Sequence, residues 1–379
     1  MQAIVGSAFI ARVTSDGKLD STFGQAGSTV FATPNGTEAD SLAMQPDGKI
    51  LVSGAADWYT RDGGDSCFAR LTSDGSLDTS YGQAGFTTFD VTTGLDSELA
   101  VGLQPDGKLV ALVFAGIYGH YVVARFDAAG TLDPSFGDQG VVWLPQLSVN
   151  SSLPDFRFAL LLQGDGKIVL GGTAGLADGG DGILTRLTSD GVVDPSFGTD
   201  GNLIIHAASA VAIDALASAP DGSIIAAGSQ DLVTASGQTG EQFAVFHASS
   251  DGVLDSTFGS GGSVVIPVRP EDVNGLEQIG AVVVQPDGKI VIASTWSEGT
   301  SATASDVHKV TTVIRFDALG TLDPSFANQG ILVVPAANND SVLGAELAID
   351  PIGRIIVAGY RPVDGASMSK DCSLLRIWP

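Results

Sequence analysis

Carboxylates are the side chains in this sequence best placed to do chemistry. Two glycine-spaced pairs, Asp62 with Asp65 in DGGDS and Asp178 with Asp181 in DGGDG, set oxygen ligands on pliant backbone, as a calcium site requires. Neither has the sixth-position glycine and terminal glutamate of an EF-hand loop, so turns with solvated aspartates are the competing reading. A second acidic set, Asp40, Glu98, Asp155, Asp214, Glu277 and Glu346, comes just ahead of an apolar run in each of six repeats. Ringed round a channel mouth, these would hold a cation or anchor a basic peptide. Trp58, Tyr59, Tyr118, His120 and Trp296 fall in segments of variable length, where aromatic faces suit either a stacked sugar ring or a protein interface.

Other chemistries find no motif. His120, His206, His247 and His308 show neither HxH nor HExxH spacing, and the chain has no GxSxG elbow, no phosphate-binding glycine loop and no CxxC. Cys67 and Cys372 are too few for a disulfide framework and read as two thiols. With 18 Lys and Arg against 43 Asp and Glu, the net charge of -25 argues against nucleic acid and anionic membranes as partners. Apolar runs fall short of the roughly 20 residues that cross a bilayer. The opening MQAIVGSAFIARV lacks a signal peptide's basic segment, while scarce lysine and abundant Gly, Ser, Thr and Asp point to an exported bacterial protein.

Two recurring phrases must position these groups. The first is a hairpin: QPDGKILVSG at 45–54, QPDGKLVALV at 104–113, QGDGKIVLGG at 163–172, APDGSIIAAG at 219–228, QPDGKIVIAS at 285–294 and DPIGRIIVAG at 350–359. A turn between two apolar runs gives two strands. The second is SDGKLDSTFGQAG and its five relatives, ending at Gly27, Gly85, Gly140, Gly201, Gly262 and Gly330, at intervals of roughly 55–68 residues that suit propeller blades. Ahead of it runs a third strand with a central arginine, Arg12, Arg70, Arg125, Arg186, Arg315 or Arg376, replaced by His247 in the fourth repeat; a fourth strand follows.

These periods predict an all-β fold: a single domain over 1–379, a six-bladed β-propeller of four-stranded repeats, with seven blades as the alternative. The last repeat lacks a fourth strand, so the strand at 28–33 is expected to pair with it and close the ring. That leaves the third-strand segment at Phe9 to Val13 surplus. The phrases resemble the bacterial delta-60 repeat family, whose units carry QPDGKIL, an ARL-type strand and DGSLDxSFGxxG. The resemblance implies a propeller-like repeat in large, often exported proteins and brings no catalytic residues. Ile352, His247 and Ala327 depart from its pattern.

About eight residues after each arginine other than Arg376, or after His247, stands an aspartate: Asp20, Asp78, Asp133, Asp194, Asp255 or Asp323. One bidentate pair per blade is expected to be scaffolding. Phe23, Tyr81, Phe136, Phe197, Phe258 and Phe326 are expected to be wedges between sheets. Function then falls to the unequal loops, in a non-enzymatic binding or scaffold domain engaging a protein or glycan; the alternative is a metal-assisted hydrolase or lyase at the channel mouth.

Overall fold

The computed structural model describes residues 7–33, 36–56, 64–92, 96–115, 120–144, 158–174, 180–207, 209–233, 239–266, 278–298, 308–334, 343–363 and 366–378. The fold is all-β, a six-bladed β-propeller. β1 (Ala8–Ala11) and β2 (Ser28–Phe31) pair with each other. Blade 1 is β3 (Ser41–Met44), β4 (Ile50–Ala56), β5 (Asp65–Leu71) and β6 (Phe86–Phe89). Blade 2 is β7 (Asp96–Leu103), β8 (Leu109–Ala115), β9 (His120–Phe126) and β10 (Val141–Trp143). Blade 3 is β11 (Ala159–Leu162), β12 (Ile168–Ala174), β13 (Asp181–Leu187) and β14 (Asn202–Ile205). Blade 4 is β15 (Val211–Ser218), β16 (Ile224–Val233), β17 (Thr239–Ala248) and β18 (Ser263–Ile266). Blade 5 is β19 (Gln278–Val284), β20 (Ile290–Glu298), β21 (His308–Phe316) and β22 (Ile331–Val334); blade 6 is β23 (Leu343–Ile349), β24 (Ile355–Val363) and β25 (Ala366–Ile377).

Each blade follows from local rules. At the hairpin the turn aspartate caps the chain, as where Asp47 Oδ1 accepts the Lys49 N–H at 3.1 Å. The second and third strands are covered on both faces, so they read as unbroken apolar runs such as ILVSGAA and LVALVFA, buried end to end. The fourth strand is short and only its last residue is buried in β2, β6, β14 and β18.

The chain forms two compact units, one of residues 1–156, 164–168 and 187–193, the other of 157–163, 169–186 and 194–379. In the first, Leu51, Phe68 and Tyr81 of blade 1 pack with Leu109, Val122 and Phe126 of blade 2. In the second, Ala227, Phe243 and Phe258 of blade 4 pack with Ile292 and Ile314 of blade 5.

The N-terminal fourth strand corrects one expectation. β2 is hydrogen-bonded to β1, with Ala11 opposite Ser28 and Ala8 opposite Phe31, and not to β25. The register copies that of β5 with β6, where Ala69 faces Phe86 and Ser66 faces Phe89. The SDG phrase between the two strands enforces it: Val13 bridges to Leu19, and the Asp20 N–H bonds the Arg12 carbonyl at 2.8 Å. A short closed loop outcompetes a partner at the far end of the chain, so the surplus third strand is simply the local partner of the fourth.

Candidate functional site

The repeated arginine is the hub of a clamp. In blade 2, Arg125 Nε donates to Asp133 Oδ2 at 2.9 Å and Nη2 to Ser135 Oγ at 3.0 Å, while Nη1 reaches the Ser189 carbonyl in the next SDG turn. Its Cζ lies 4.7 Å above the Phe136 ring. The same set recurs as Arg70 with Asp78, Ser80, Ala128 O and Tyr81, and as Arg186 with Asp194, Ser196, Ser250 O and Phe197. Arg12 and Arg315 repeat its core, with Asp20 at 2.8 Å and Asp323 at 2.9 Å. Arg376 lies in β25 opposite Ile356. The rings of Phe23, Tyr81, Phe136, Phe197 and Phe258 meet the glycine of the following turn so closely that a Cβ on Gly252 would stand 2.8 Å from Phe197. Gly252 also has φ +77°, so no other residue serves there.

A lysine joins the clamp from the hairpin. Lys49 Nζ lies 3.1 Å from Asp78 and 3.9 Å from Asp47, Lys108 lies 3.0 Å from Asp133 and 3.4 Å from Asp106, and Lys289 lies 3.6 Å from Asp323 and 3.2 Å from Asp287. Two cations thus balance two carboxylates. The hydrogen bond from Ser325 and the nearby Arg315 and Lys289 outweigh desolvation and lower Asp323 to about 2; Asp78 and Asp133 are lowered for the same reasons. Gln104 completes blade 2, donating to the Gly166 carbonyl at 3.1 Å and accepting from Arg125 at 3.3 Å.

Blade 4 keeps both carboxylates, Asp221 and Asp255, and loses all three long partners. Ala219 stands for the glutamine, Ser223 for the lysine and His247 for the arginine. A cavity of about 480 Å³ lies there, lined by Asp221, Ser223, His247, Ser249, Ser250, Val253, Leu254 and Asp255. His247 Nδ1 is 3.0 Å from Asp255 Oδ2 and Nε2 is 2.8 Å from Ser223 Oγ, while the Ser223 hydroxyl donates to Asp221 Oδ1 at 2.6 Å. The Ser223 and Thr257 hydroxyls, respectively, are the largest influences lowering the Asp221 and Asp255 pKa values, and His247 lowers both further. Blade 6 also departs, with Asp350 and Arg354 at the hairpin, but that arginine pairs with Asp350 at 2.5 Å and covers Trp378.

The acidic residues singled out in the sequence that fall among the described residues lie on several blades. Asp65 joins Asp90 and Asp96, with ligand oxygens within 4.8 Å of one another. Asp96 is fully buried and its carboxylate accepts the Val91 and Thr92 N–H groups at 2.6 and 3.0 Å and the Thr92 hydroxyl at 3.1 Å, so it ties down the chain after β6. Asp181 contacts His206 Nδ1 at 2.9 Å. Asp214 sits at the bulge of β15, Glu98 is one register position before the bulge of β7, and Glu346 one position after the irregularity in β23. Asp40, exposed, lies just before β3. Asp62, Asp155, Asp178, Glu277, Trp58, Tyr59 and Tyr118 lie outside the described residues; His120 begins β9 and Trp296 lies within β20. Cys67 is buried.

A profile of β-propeller domains of unknown function, DUF5122, matches residues 45–81, 104–136 and 163–197, which are the hairpins and clamps of blades 1 to 3. No curated protein sequence matches the chain. Among solved structures, the chain is similar to the polysaccharide lyase Uly1 at 11% identity and a TM-score of 0.46, covering 89% of this chain and 76% of that one. It is similar to a glucose dehydrogenase at 13% and 0.46, covering 89% and 95%. It is also similar to an α-L-arabinanase from Penicillium chrysogenum at 13% and 0.42, covering 72% and 80%.

Proposed function

We propose that this is a non-enzymatic binding and scaffold propeller that engages a basic protein partner at blade 4. The observation that carries the reading is the contrast between clamps. In blades 1, 2, 3 and 5 the arginine Nε lies 2.8 or 2.9 Å from its aspartate, and this ion pair is part of the scaffold. In blade 4 the carboxylates remain without the lysine and arginine, beside a cavity. The net charge of -25 supports a basic partner through long-range attraction.

One observation favours a second reading. Ser223, His247 and Asp255 are ordered as in a serine hydrolase, with contacts of 2.8 and 3.0 Å. The proton inventory speaks against it. The hydroxyl proton is committed to Asp221, which makes the imidazole Nε2–H the donor to Ser223 and removes the lone pair a general base needs. The amides beside the hydroxyl are also committed, Gly222 N–H to the Ala219 carbonyl and Ser223 N–H to Asp221 Oδ1, so neither serves an oxyanion hole.

The test offers the intact chain a p-nitrophenyl ester series and, separately, a lysine-rich peptide with a glutamate-rich peptide of equal length as control. We expect saturable, salt-sensitive binding of the lysine peptide only, and ester turnover no faster than that of Ser223→Ala. Turnover that disappears in Ser223→Ala would replace the binding reading by the hydrolase one.

A further inference from the structure

We propose that the blade 4 cavity is a receptor for an alkylammonium group, which takes the place of the lysine that the other hairpins carry. This deepens the binding reading and rests on it. The protein's own repeats record what such a site holds. Wherever the hairpin reads PDGK with an arginine on the third strand, the lysine stem runs from the turn across the clamp. Its ammonium bridges the hairpin aspartate and the clamp aspartate, at 3.9 and 3.1 Å in blade 1 and 3.4 and 3.0 Å in blade 2. In blade 4 both acceptors persist as Asp221 and Asp255, at the same repeat positions and on the walls of one cavity.

The remaining groups define what enters. Ser223, 6% exposed, occupies the lysine position with a side chain too short to cross the gap and is hydrogen-bonded to the wall at Asp221 Oδ1. Val253 and Leu254 supply an apolar flank for a methylene stem, as lysine stems usually require. His247 sits against Phe258, with ring centroids 5.4 Å apart, and so does not extend to where an arginine's terminal nitrogens would lie. In blade 3 the corresponding Nη1 bonds the Ser250 carbonyl of the following turn. The site therefore asks for a compact cation on a flexible apolar stem: a primary alkylammonium, whether a free amine or the lysine side chain of a protein.

The experiment follows the 1H–15N and His247 ring resonances of the intact chain during titration with n-butylammonium, with a short lysine peptide, and with that peptide acetylated on the lysine. The same titrations are run on Ser223→Lys/His247→Arg, which copies the clamp of blades 1, 2 and 5 and so retains a packing the fold already uses. Wild type should show saturable shifts at His247, Ser223 and Asp255 with the ammonium probes, weakened about tenfold or more in the double variant and by lysine acetylation. Response to butylammonium and peptide alike identifies a general amine receptor; response to the peptide alone identifies a protein lysine. Equal binding by the refilled variant, or no shift at these residues with either ammonium probe, overturns the proposal. If lysine peptide binds both proteins equally, the binding reading stands and only its location is wrong; if it binds neither, both readings fall.

Discussion

Blades 2 and 4 are the same construction with different occupants. In blade 2 the guanidinium of Arg125, 3% exposed, is held by Asp133, Ser135, the Ser189 carbonyl and the Phe136 face, with Lys108 and Gln104 filling the space around it. In blade 4 a chain of Asp221, Ser223, His247 and Asp255 lines an opening. A repeat protein can leave one clamp incomplete because stability is close to a sum over repeats and their interfaces. The incomplete clamp is then the place where the scaffold offers something to another molecule.

The largest expected effect comes from breaking the intact side of the comparison. Arg125→Ala strips Asp133 of its guanidinium and leaves the Ser189 carbonyl unpaired, a loss of about 3–5 kcal/mol for a buried pair cut on one side. His247→Ala, in contrast, removes one imidazole beside an existing cavity and should cost well under half of that; urea unfolding of both variants checks the ratio. Next in size is Gly252→Ala. It demands φ +77° of an alanine and drives its Cβ to 2.8 Å from Phe197, at a cost of about 2 kcal/mol that the same unfolding assay reads.

Much of this was legible in the sequence, and the reasons are physical. Hairpins, third strands and the Arg–Asp spacing recur because each is dictated by residues within one phrase: a Pro-Asp-Gly turn, an apolar run, a carboxylate eight positions after its arginine. The departures at Ala219, Ser223 and His247 are equally visible as letters. Ser223 and His247 belong to different phrases, however, and it is the pairing of β16 with β17, with Ile225 opposite His247, that brings these two to one cavity. The partner of the N-terminal fourth strand differs from the expected one for a related reason. A tally of unpartnered strands joins it to the last repeat, whereas the Arg12–Asp20 clamp and the Val13–Leu19 bridge commit β2 to β1 locally. The acidic residues ahead of the first strands already differ in repeat position in the sequence, and Asp214, Glu98 and Glu346 stand at different offsets from the irregularities of their strands.

Two smaller effects sharpen the comparison. Asp323 is lowered from 3.8 to about 2, so its ionised form stabilises the fold above pH 4, and that contribution is lost as the pH falls from about 4 towards 2. Replacing Asp323 by Asn should flatten the acid limb of a plot of Tm against pH in that window and lower Tm at neutral pH. The smallest effect is a gain: Ser223→Lys/His247→Arg rebuilds the missing clamp and should raise Tm by about 2 °C, read by scanning calorimetry.

The most direct test of the central claim is the Tm of wild type and of this refilled variant, each measured without ligand and with n-butylammonium or the short lysine peptide at equal ionic strength. If blade 4 is a clamp left open for an ammonium, wild type gains stability with ligand as binding to the folded state requires, and the refilled protein starts higher and does not respond. Equal ligand response in the two proteins, or none in wild type, would contradict it.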